Sequence, residues 1–411
     1  MTNFSNQTAL ATKRMRELFP ETPLLRNDHL SAVYKADIWL KREDLSPVRS
    51  YKLRGAYNAM SKAVDKQIFV CASAGNHAQG VSFVCRHMKK NGVIFMPVTT
   101  PQQKISKTKM FGGEWVEVRL VGDYFDDTLS ASQTYCSEVG GHFLSPFDDL
   151  DVIEGQATVT YEMMDQLGGA PDIFVVPVGG GGLSSSARRL LSEMAPETEI
   201  FYVEPSGGKS LVAALAAGQP TKIKKIDTFV DGAAVAKIGN HTFKFLKGID
   251  VDHVLAVPED RICTTILEML NVEGIVLEPA GALALDALKD IRHKIEGKKV
   301  VCVSSGGNFD FERLPEVKER AQRFSGVKKY FILRMPQRPG ALKEFLSLLG
   351  PDDDISRFEY LKKSARNFGT VLLGIETSSP ENFHGLSERL EKVGMSIRDI
   401  TDDETMVDLI I

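Results

Sequence analysis

Short apolar runs alternate with amphipathic segments from about residue 50 onward, and this alternation constrains the fold more than any other feature of the chain. The run from Phe174 to Val178 is continuously apolar, which is typical of parallel strands that are buried on both faces. Strands that alternate with helices predict a parallel sheet flanked by helices. Two such series, at about residues 50–138 and 151–303, predict two α/β lobes with a site between them, beyond the carboxyl ends of the strands.

The pattern changes after Ser325-Gly326, where a shorter α+β segment begins. Its strand and helix patterns follow the order β-α-β-β-α-β, which is typical of a ferredoxin-like domain. The chain is long enough for two or three domains. The expected limits are a first domain at 1–325, with a small lobe at about 46–149 and a large lobe at about 1–45 and 150–325, and a second domain at 326–411.

Composition and charge exclude several classes of protein. The 411 residues are 43% hydrophobic, and 50 basic against 54 acidic residues give a formal charge of −4, so no broad positive field favours nucleic acid or acidic membranes. No apolar run approaches the roughly 20 residues of a membrane helix, and the amino terminus lacks a signal-peptide pattern. The five cysteines match neither a zinc site nor a disulfide framework. We expect a soluble, cytoplasmic protein with buried thiols and with no nucleic-acid partner, membrane partner or metal.

Lys52 is the first candidate for chemistry. It follows Ser50-Tyr51 at the predicted start of a helix. The positive end of the helix dipole and burial would both disfavour its ammonium form. A neutral amine is what Schiff-base formation and proton abstraction require. A lone lysine is usually a solvated surface residue, so this interpretation depends on the motifs around it.

A glycine run, Gly179 to Gly182, joins an apolar strand to a helix. Residues without a Cβ atom let backbone amides converge on an anion, and the start of a helix adds partial positive charge. A strained turn is the alternative, but the setting between strand and helix favours a phosphate site. The run lacks the spaced glycines of a dinucleotide fingerprint.

Two polar turns follow other predicted strands, at residues 73–77 and 304–308. The amides of the first could hold a carboxylate, and the Asn76 amide could bond to a cofactor ring; an ordinary helix cap is the alternative. In the second, a hydroxyl could donate to a pyridine nitrogen without keeping it protonated. That weakens the ring as an electron sink and favours elimination over transamination. A turn without a ligand is the alternative here.

A lysine, a phosphate-sized glycine loop and two polar turns are together what a protein needs to hold pyridoxal 5'-phosphate. The same segments resemble the fold-type II pyridoxal-phosphate enzymes, of the tryptophan synthase β-like fold, and within them the threonine dehydratases. The resemblance covers about residues 10–323. The second expected domain, residues 326–411, is similar to one ACT-like regulatory domain, through weaker motifs such as residues 338–342. The matching segments are 41–44, 50–56, 73–80, 179–183 and 305–308.

The resemblance implies a role for individual residues. Lys52 would carry the cofactor and move the protons, Asn76 would bond to the ring oxygen, and Ser305 would face the pyridine nitrogen. Glu278 matches a glutamate that lies near the cofactor. The phosphate would be bound by Gly179, Gly180, Gly181, Gly182 and Leu183. The substrate carboxylate would be held by Ser73, Ala74, Gly75, Asn76 and His77.

Two departures from related enzymes narrow the expected activity. Serine racemases have a serine at the position of Ala74, where it acts as the base on the second face, and alanine cannot transfer a proton. Those relatives also bind a divalent metal just after a glutamate that matches Glu204. Ser210 stands where they have an aspartate, so no metal site is expected. A monovalent cation at carbonyl oxygens is left open.

The resemblance therefore implies a lyase that dehydrates and deaminates L-threonine to 2-oxobutanoate and ammonia, the first step of isoleucine biosynthesis. L-Serine is a second candidate substrate. The ACT-like domain implies allosteric control by isoleucine, with valine as a second effector, and a homo-oligomer, either a dimer or a tetramer. Three alternatives stay open: a degradative serine/threonine dehydratase without isoleucine control, a β-replacement synthase, and a catalytically silent amino-acid sensor.

Overall fold

The computed structural model describes residues 3–361 and 367–403. The chain divides into two compact units, residues 1–310 and 311–411. Helix Leu314–Phe324 belongs to the second unit. The expected boundary between residues 325 and 326 falls just after that helix, and it remains a prediction.

The larger sheet of the first unit has the strand order β1-β2-β10-β7-β8-β9. Strand β1 is antiparallel to β2, and the other neighbours are parallel. All residues of β7 are buried, as its continuous apolar run predicts. The strands are β1 Leu24–Arg26, β2 Asp37–Arg42, β7 Ile173–Pro177, β8 Glu199–Pro205, β9 Val254–Val257 and β10 Lys299–Ser304.

The smaller sheet has the order β5-β4-β3-β6, and all of its described pairs are parallel. Its strands all lie within residues 46–149, the range expected for the small lobe. They are β3 Ile68–Ala72, β4 Asn91–Met96, β5 Val116–Leu120 and β6 His142–Phe143. The two parallel sheets confirm the fold-type II α/β class that the alternation of strands and helices indicates.

Helices cover both sheets, and the series from α3 to α8 follows the predicted alternation closely. No helix in the described part of the chain combines the length and apolar character needed to cross a membrane. The helices of the first unit are α1 Phe4–Leu18, α2 Asp28–Tyr34, α3 Lys52–Lys62, α4 Asn76–Met88, α5 Gln102–Gly112, α6 Phe125–Glu138, α7 Leu150–Leu167, α8 Gly182–Met194, α9 Ser210–Ala217, α10 Asn240–Leu246, α11 Glu259–Glu273, α12 Pro279–Asp286 and α13 Arg292–Ile295.

A buried cluster of charges joins β2, α3 and α7. The Arg54 side chain is fully buried, and its Nε donates to Glu43 Oε2 at 2.8 Å while Nη2 donates to Glu162 Oε2 at 2.7 Å. Lys41 Nζ lies 3.2 Å from the same Glu162 oxygen. Burial alone would raise the pKa of Glu162, but the Arg54 and Lys41 charges outweigh it and hold the pKa at about 2. Each charge is therefore compensated by an opposite one.

The second unit forms an antiparallel sheet with the order β12-β13-β11-β14. Its helices pack with the sheet around Leu333, Phe345 and Leu373, which have no exposed surface. This order confirms the predicted ferredoxin-like class. The elements are α14 Leu314–Phe324, β11 Lys328–Pro336, α15 Ala341–Leu346, β12 Asp354–Leu361, β13 Phe368–Glu376, α16 Leu386–Lys392 and β14 Ser396–Asp399.

We expect Glu162→Gln to lower the free energy of unfolding of the first unit by about 3–5 kcal/mol, because it leaves the buried Arg54 and Lys41 charges undercompensated. Urea unfolding followed by circular dichroism measures the loss. Glu117→Gln is the matched control, since Glu117 pairs with Arg119 at the surface, and it should cost less than about 1 kcal/mol. Equal losses in the two variants would contradict a stabilising role for the buried cluster.

Candidate active site

Lys52 begins helix α3 and is partly buried. Its Nζ donates to the carbonyl oxygen of Pro146 at 2.9 Å and lies 5.3 Å from the ring centroid of Tyr51. Burial lowers the pKa of Lys52 to about 8, although the negative charge of Glu278 opposes this shift. An amine with this pKa loses its proton readily near neutral pH.

The turn before Lys52 is tied to the turn that follows β10. Ser50 forms an antiparallel bridge with Gly306, and the Tyr51 amide donates to Ser305 O at 3.2 Å. Arg49 has a φ of 55°, a left-handed conformation that is uncommon for a residue other than glycine. The Gly307 amide donates to the carbonyl oxygen of Arg49 at 2.9 Å, which helps to hold that conformation. These bonds bring Lys52 and Ser305, two predicted site residues, to the same place.

Asn76, Glu278 and Asn308 form a hydrogen-bonded chain. Asn76 Nδ2 donates to Glu278 Oε1 at 2.6 Å, and Asn308 Nδ2 donates to Asn76 Oδ1 at 2.8 Å and to Val48 O at 2.8 Å. Since Asn308 holds the Asn76 oxygen, the Asn76 NH₂ group must face Glu278. Burial raises the pKa of Glu278 to about 7, and the hydrogen bond from Asn76 opposes that rise. Asn308 belongs to a motif singled out in the sequence, but its orienting role was not predicted.

The glycine loop is shaped to leave its amides open. A Cβ atom on Gly180 would lie 2.2 Å from the Phe147 ring, and Gly181 has a φ of 90°, so glycine is required at both positions. The amides of Gly179, Gly180 and Gly181 donate to no acceptor in the part of the chain that the structure describes. They lie at the amino end of α8, where an anion is favoured. This geometry suits a phosphate group.

Residues 145–149, which follow β6, connect the lysine to the glycine loop. Pro146 supplies the carbonyl acceptor of Lys52, and the next residue, Phe147, packs against Gly180 and Gly182. The Asp148 carboxylate accepts hydrogen bonds from the amides of Asn240 (2.9 Å) and His241 (2.6 Å) at the start of α10. Sequence reasoning missed this segment. The segment is polar and directly follows β6, which lies in the same sheet as β3. That position is the sequence signal that could have identified it as part of the site.

The turn at residues 73–77 has some of its polar groups engaged. The Gly75 amide donates to Ser73 Oγ at 3.2 Å, and His77 Nε2 lies 3.0 Å from Leu144 O. Burial lowers the pKa of His77 to about 3, and the positive charge of Lys52 lowers it further, so the ring is neutral and structural. The amides without an acceptor among the described residues are those of Ala74, Asn76 and His77.

Two further predictions concern Ser305 and Glu204. Ser305 is buried, and its hydroxyl donates to Ala280 O at 3.1 Å. Glu204 accepts hydrogen bonds from the amides of Leu211 (2.6 Å) and Val212 (3.1 Å), so it caps the start of α9. Within residues 3–361 and 367–403, no group of three or more His, Cys, Asp or Glu side chains is placed to hold a metal.

Comparison with known families agrees with this geometry. Residues 16–306 match the model described as "Pyridoxal-phosphate dependent enzyme", and residues 319–410 match "C-terminal regulatory domain of Threonine dehydratase". The chain is 46% identical to the biosynthetic L-threonine dehydratase IlvA of Bacillus subtilis (strain 168), over 98% of this chain and 96% of the relative. The chain therefore belongs to the pyridoxal-phosphate dependent enzymes and, within them, to the threonine dehydratase family, as predicted.

Solved structures agree with this assignment. The processed form of threonine deaminase isoform 2 from Solanum lycopersicum has a TM-score of 0.70 and 34% identity, covering 77% of this chain and 93% of that one. A second threonine deaminase, whose source is abbreviated T.th., has a TM-score of 0.70 and 28% identity, covering 74% of this chain and 98% of that one. The similarity covers about three quarters of this chain in both cases.

The site fits the cofactor that gives the family its name, and the prediction of pyridoxal 5'-phosphate is confirmed. The open amides of the glycine loop suit its phosphate, and the easily deprotonated Lys52 suits its aldehyde. The Asn76 NH₂ group, which donates to Glu278, and the Ser305 hydroxyl, which donates to Ala280 O, are polar groups of the kind that a pyridine ring requires. The individual residue roles remain predictions.

We expect Asn308→Ala to weaken pyridoxal phosphate binding by about tenfold, because the Asn76 amide loses the partner that sets its orientation. Titration of the cofactor-free protein with pyridoxal phosphate, followed by absorbance, measures the affinity. Asn271→Ala changes an exposed asparagine on α11 and should leave the affinity unchanged. If both variants bind the cofactor as tightly as the original protein, Asn308 has no orienting role.

Proposed function

We propose that this enzyme uses pyridoxal phosphate to dehydrate and deaminate L-threonine, releasing 2-oxobutanoate and ammonia at the first step of isoleucine biosynthesis. One observation carries the proposal: an amine with a lowered pKa, Lys52, lies where the segments that follow the parallel strands β6 and β10 meet. The 46% identity to a biosynthetic L-threonine dehydratase over 98% of the chain supports the choice of substrate.

The cofactor, when bound, supplies an electron sink that stabilises negative charge on the substrate α-carbon. In our proposal, the amides of Gly179 to Leu183 hold its phosphate and Asn76 holds its ring oxygen. Lys52 would hold its aldehyde carbon. Glu278 would act on the ring oxygen indirectly, because it accepts a hydrogen bond from Asn76. The assignments are supported by the glycine-loop amides, which have no acceptor among the described residues, and by the hydrogen bond that orients Asn76 toward Glu278.

Ser305 limits the chemistry that the site favours. We propose that its hydroxyl faces the ring nitrogen. A hydroxyl can donate one hydrogen bond there when its proton rotates away from Ala280 O, but unlike a carboxylate it cannot hold a proton on that nitrogen. The electron sink is therefore moderate, which suits an elimination in which the β-hydroxyl leaves. It disfavours transamination, which needs a long-lived carbanion.

Lys52 is the proposed proton-transfer group. As a neutral amine, Nζ can accept the substrate α-proton, and its present acceptor, Pro146 O, can orient the ammonium that results. The residue at position 74 is alanine, which can neither accept nor donate a proton. Proton transfer is therefore confined to the lysine side of the substrate, and this supports a lyase over a racemase.

The turn at residues 73–77 is the proposed carboxylate site. Within the described parts of the chain, the amides of Ala74, Asn76 and His77 have no acceptor, and they lie at or just before the start of the 13-residue helix α4. Backbone amides at the amino end of a helix favour an anion. The His77 ring contributes no charge, because its pKa is far below neutral.

The second unit is the proposed site of control. Its match to the C-terminal regulatory domain of threonine dehydratase supports allosteric regulation over a degradative enzyme without such control, and we propose isoleucine as the effector, with valine as a second one. Regulatory domains of this kind act through a coupling of about 1–3 kcal/mol between sites. We further propose a cytoplasmic homo-oligomer, with its five buried cysteines as free thiols.

Lys52→Ala should lower threonine turnover by at least about a thousandfold, because the amine that moves the proton is lost. Formation of 2-oxobutanoate measures turnover. Borohydride reduction followed by mass spectrometry should attach the cofactor to Lys52 in the original protein and not in the variant. The matched control is Lys62→Ala at the other end of α3, which should keep both properties. Normal turnover by Lys52→Ala would refute the assignment.

The rate at which the cofactor-free protein captures pyridoxal phosphate should rise with pH and level off above about pH 9, because only the neutral amine reacts and the pKa of Lys52 is about 8. Between pH 6 and pH 7 the rise should be about tenfold. Stopped-flow absorbance measures the rate. Glu278→Gln removes the negative charge that favours the ammonium, so it should move the midpoint to lower pH. A rate that still climbs at pH 10 would indicate an ordinary lysine.

Steady-state kinetics with L-threonine and L-serine, with isoleucine titrated, distinguish the biosynthetic enzyme from the degradative alternative. We expect the full-length enzyme to prefer threonine and isoleucine to shift its saturation curve to higher threonine concentration, by about 5- to 150-fold. If isoleucine did not change the kinetics, the proposed control would be wrong, but the proposed lyase activity would be unaffected.

A further inference from the structure

A long loop, residues 218–239, joins helix α9 to helix α10 beside the site. The structure describes every residue of this loop, and it contains no helix or strand. Loops longer than about 12–15 residues without secondary structure are uncommon in compact domains and are often functional. We call this loop the strap. Its length indicates a role beyond the connection of two helices.

The strap packs closely on the glycine loop. A Cβ atom on Gly179 would lie 3.1 Å from Ala233 Cα, so glycine at position 179 permits this close approach. At the carboxyl end of the strap, the Gly239 amide donates to Gly180 O at 3.2 Å. The strap is therefore fixed on one side to the segment that is proposed to bind the cofactor phosphate.

The middle of the strap reaches the hydrogen-bonded chain of the site. A Cβ atom on Gly232 would lie 2.8 Å from Ala280 Cβ and 3.9 Å from Glu278 Oε1, so position 232 has no room for a side chain. Burial raises the pKa of Glu278, and the negative charge of Asp231 raises it further, which places Asp231 near Glu278. Since Glu278 accepts the hydrogen bond from Asn76, the strap lies beside groups that are proposed to hold the cofactor.

Two ion pairs connect the strap to helices that flank β5 of the smaller sheet. Asp231 pairs with Lys104 in the first turn of α5, and Lys222 Nζ lies 2.7 Å from Asp126 Oδ2 in the first turn of α6. The side chains of Lys104 and Asp231 expose 26% and 40% of their surface, against 63% and 74% for Lys222 and Asp126. Solvent and salt screen a shielded pair less, so Lys104–Asp231 is the stronger contact.

We propose that the strap closes the site around a bound α-amino acid substrate, and that the Lys104–Asp231 ion pair holds it closed. The structure shows the closed arrangement, in which the strap spans elements of both sheets. Lys104 and Asp231 are positioning residues, because they act on the strap and not on the reacting atoms. Closure retains the substrate and limits the access of water. The inference rests on the proposed function, since it takes the substrate to be an α-amino acid.

Steady-state kinetics of the full-length enzyme, loaded with pyridoxal phosphate, test this role. Lys104→Met should raise KM for L-threonine about three- to tenfold and change kcat by less than about twofold, because the lost pair weakens closure without removing a group from the reacting centre. Asp231→Asn should raise KM similarly. The double variant should be no worse than the weaker single variant, because both changes remove one contact. Lys109→Met changes an exposed lysine of the same helix and should behave as the original protein does.

Hydrogen exchange of the strap amides, followed by mass spectrometry, separates closure from a purely structural role. L-2-Aminobutyrate has the carboxylate, ammonium and methyl group of threonine but no β-hydroxyl to eliminate, so it serves as the probe. With the probe saturating, the strap should exchange about three- to tenfold faster in Lys104→Met than in the original protein or in Lys109→Met. Without the probe, the rates should agree within about twofold, because the strap is then mainly open in all three proteins.

Four results would overturn the proposal: an unchanged KM in Lys104→Met, the same change in Lys109→Met, equal exchange rates with the probe bound, or a difference in exchange that is as large without the probe. The last of these would assign the ion pair a structural role alone. Failure of the proposed catalytic function is a separate outcome. It would appear as absent threonine turnover in the original protein, whereas the exchange experiment requires no turnover.

Discussion

The buried Arg54 guanidinium is the interaction on which the rest of the first unit depends. It lies between the carboxylates of Glu43 and Glu162 and thereby joins the turn after β2, helix α3 and helix α7 at one point. Removing a charge from water costs several kcal/mol per ion, so such a group is tolerated only with compensating partners in good geometry. Since Arg54 is two residues beyond Lys52, the cluster also fixes the start of α3, and with it the position of the reactive amine.

The contrast between Arg54 and Lys52 explains how one turn of helix carries both a permanent charge and an easily deprotonated amine. Two carboxylates contact Arg54, so its pKa is raised and it stays charged. Lys52 has a carbonyl oxygen as its hydrogen-bond acceptor, and burial lowers its pKa to about 8. Two buried cations in the same turn of helix therefore have pKa values shifted in opposite directions, because Arg54 contacts two carboxylates and Lys52 contacts a carbonyl oxygen.

Parallel strands explain why distant segments form one site. The turns that follow β3, β7 and β10 carry residues 73–77, 179–182 and 305–308, and each turn emerges at the carboxyl end of its strand. The continuous apolar runs of these strands are strong sequence signals, so the two sheets and most of the site-bearing turns were predictable. Helices α9, α10, α12 and α13 were not predicted, because they are short and α12 is almost uniformly apolar and small, without a clear helical period. The longer helix α11 was also missed.

The missed residues share a physical reason. Pro146 acts through its backbone carbonyl, which leaves no mark on the choice of side chain. Glu162 is a charged residue that sequence alone assigns to a solvated helix face, because its buried partner is 108 residues away. Asn308 stands in a recognisable motif, but its contact with Asn76 depends on the packing of two separate strands. Contacts between residues so far apart in the sequence can be identified only when the fold is known.

The most direct test is a crystal structure of the full chain grown with pyridoxal phosphate. We predict electron density continuous from Lys52 Nζ to the cofactor, and a phosphate within hydrogen-bonding distance of the amides of residues 179–183. A cofactor phosphate bound elsewhere, with Lys52 Nζ still donating to Pro146 O, would contradict the account.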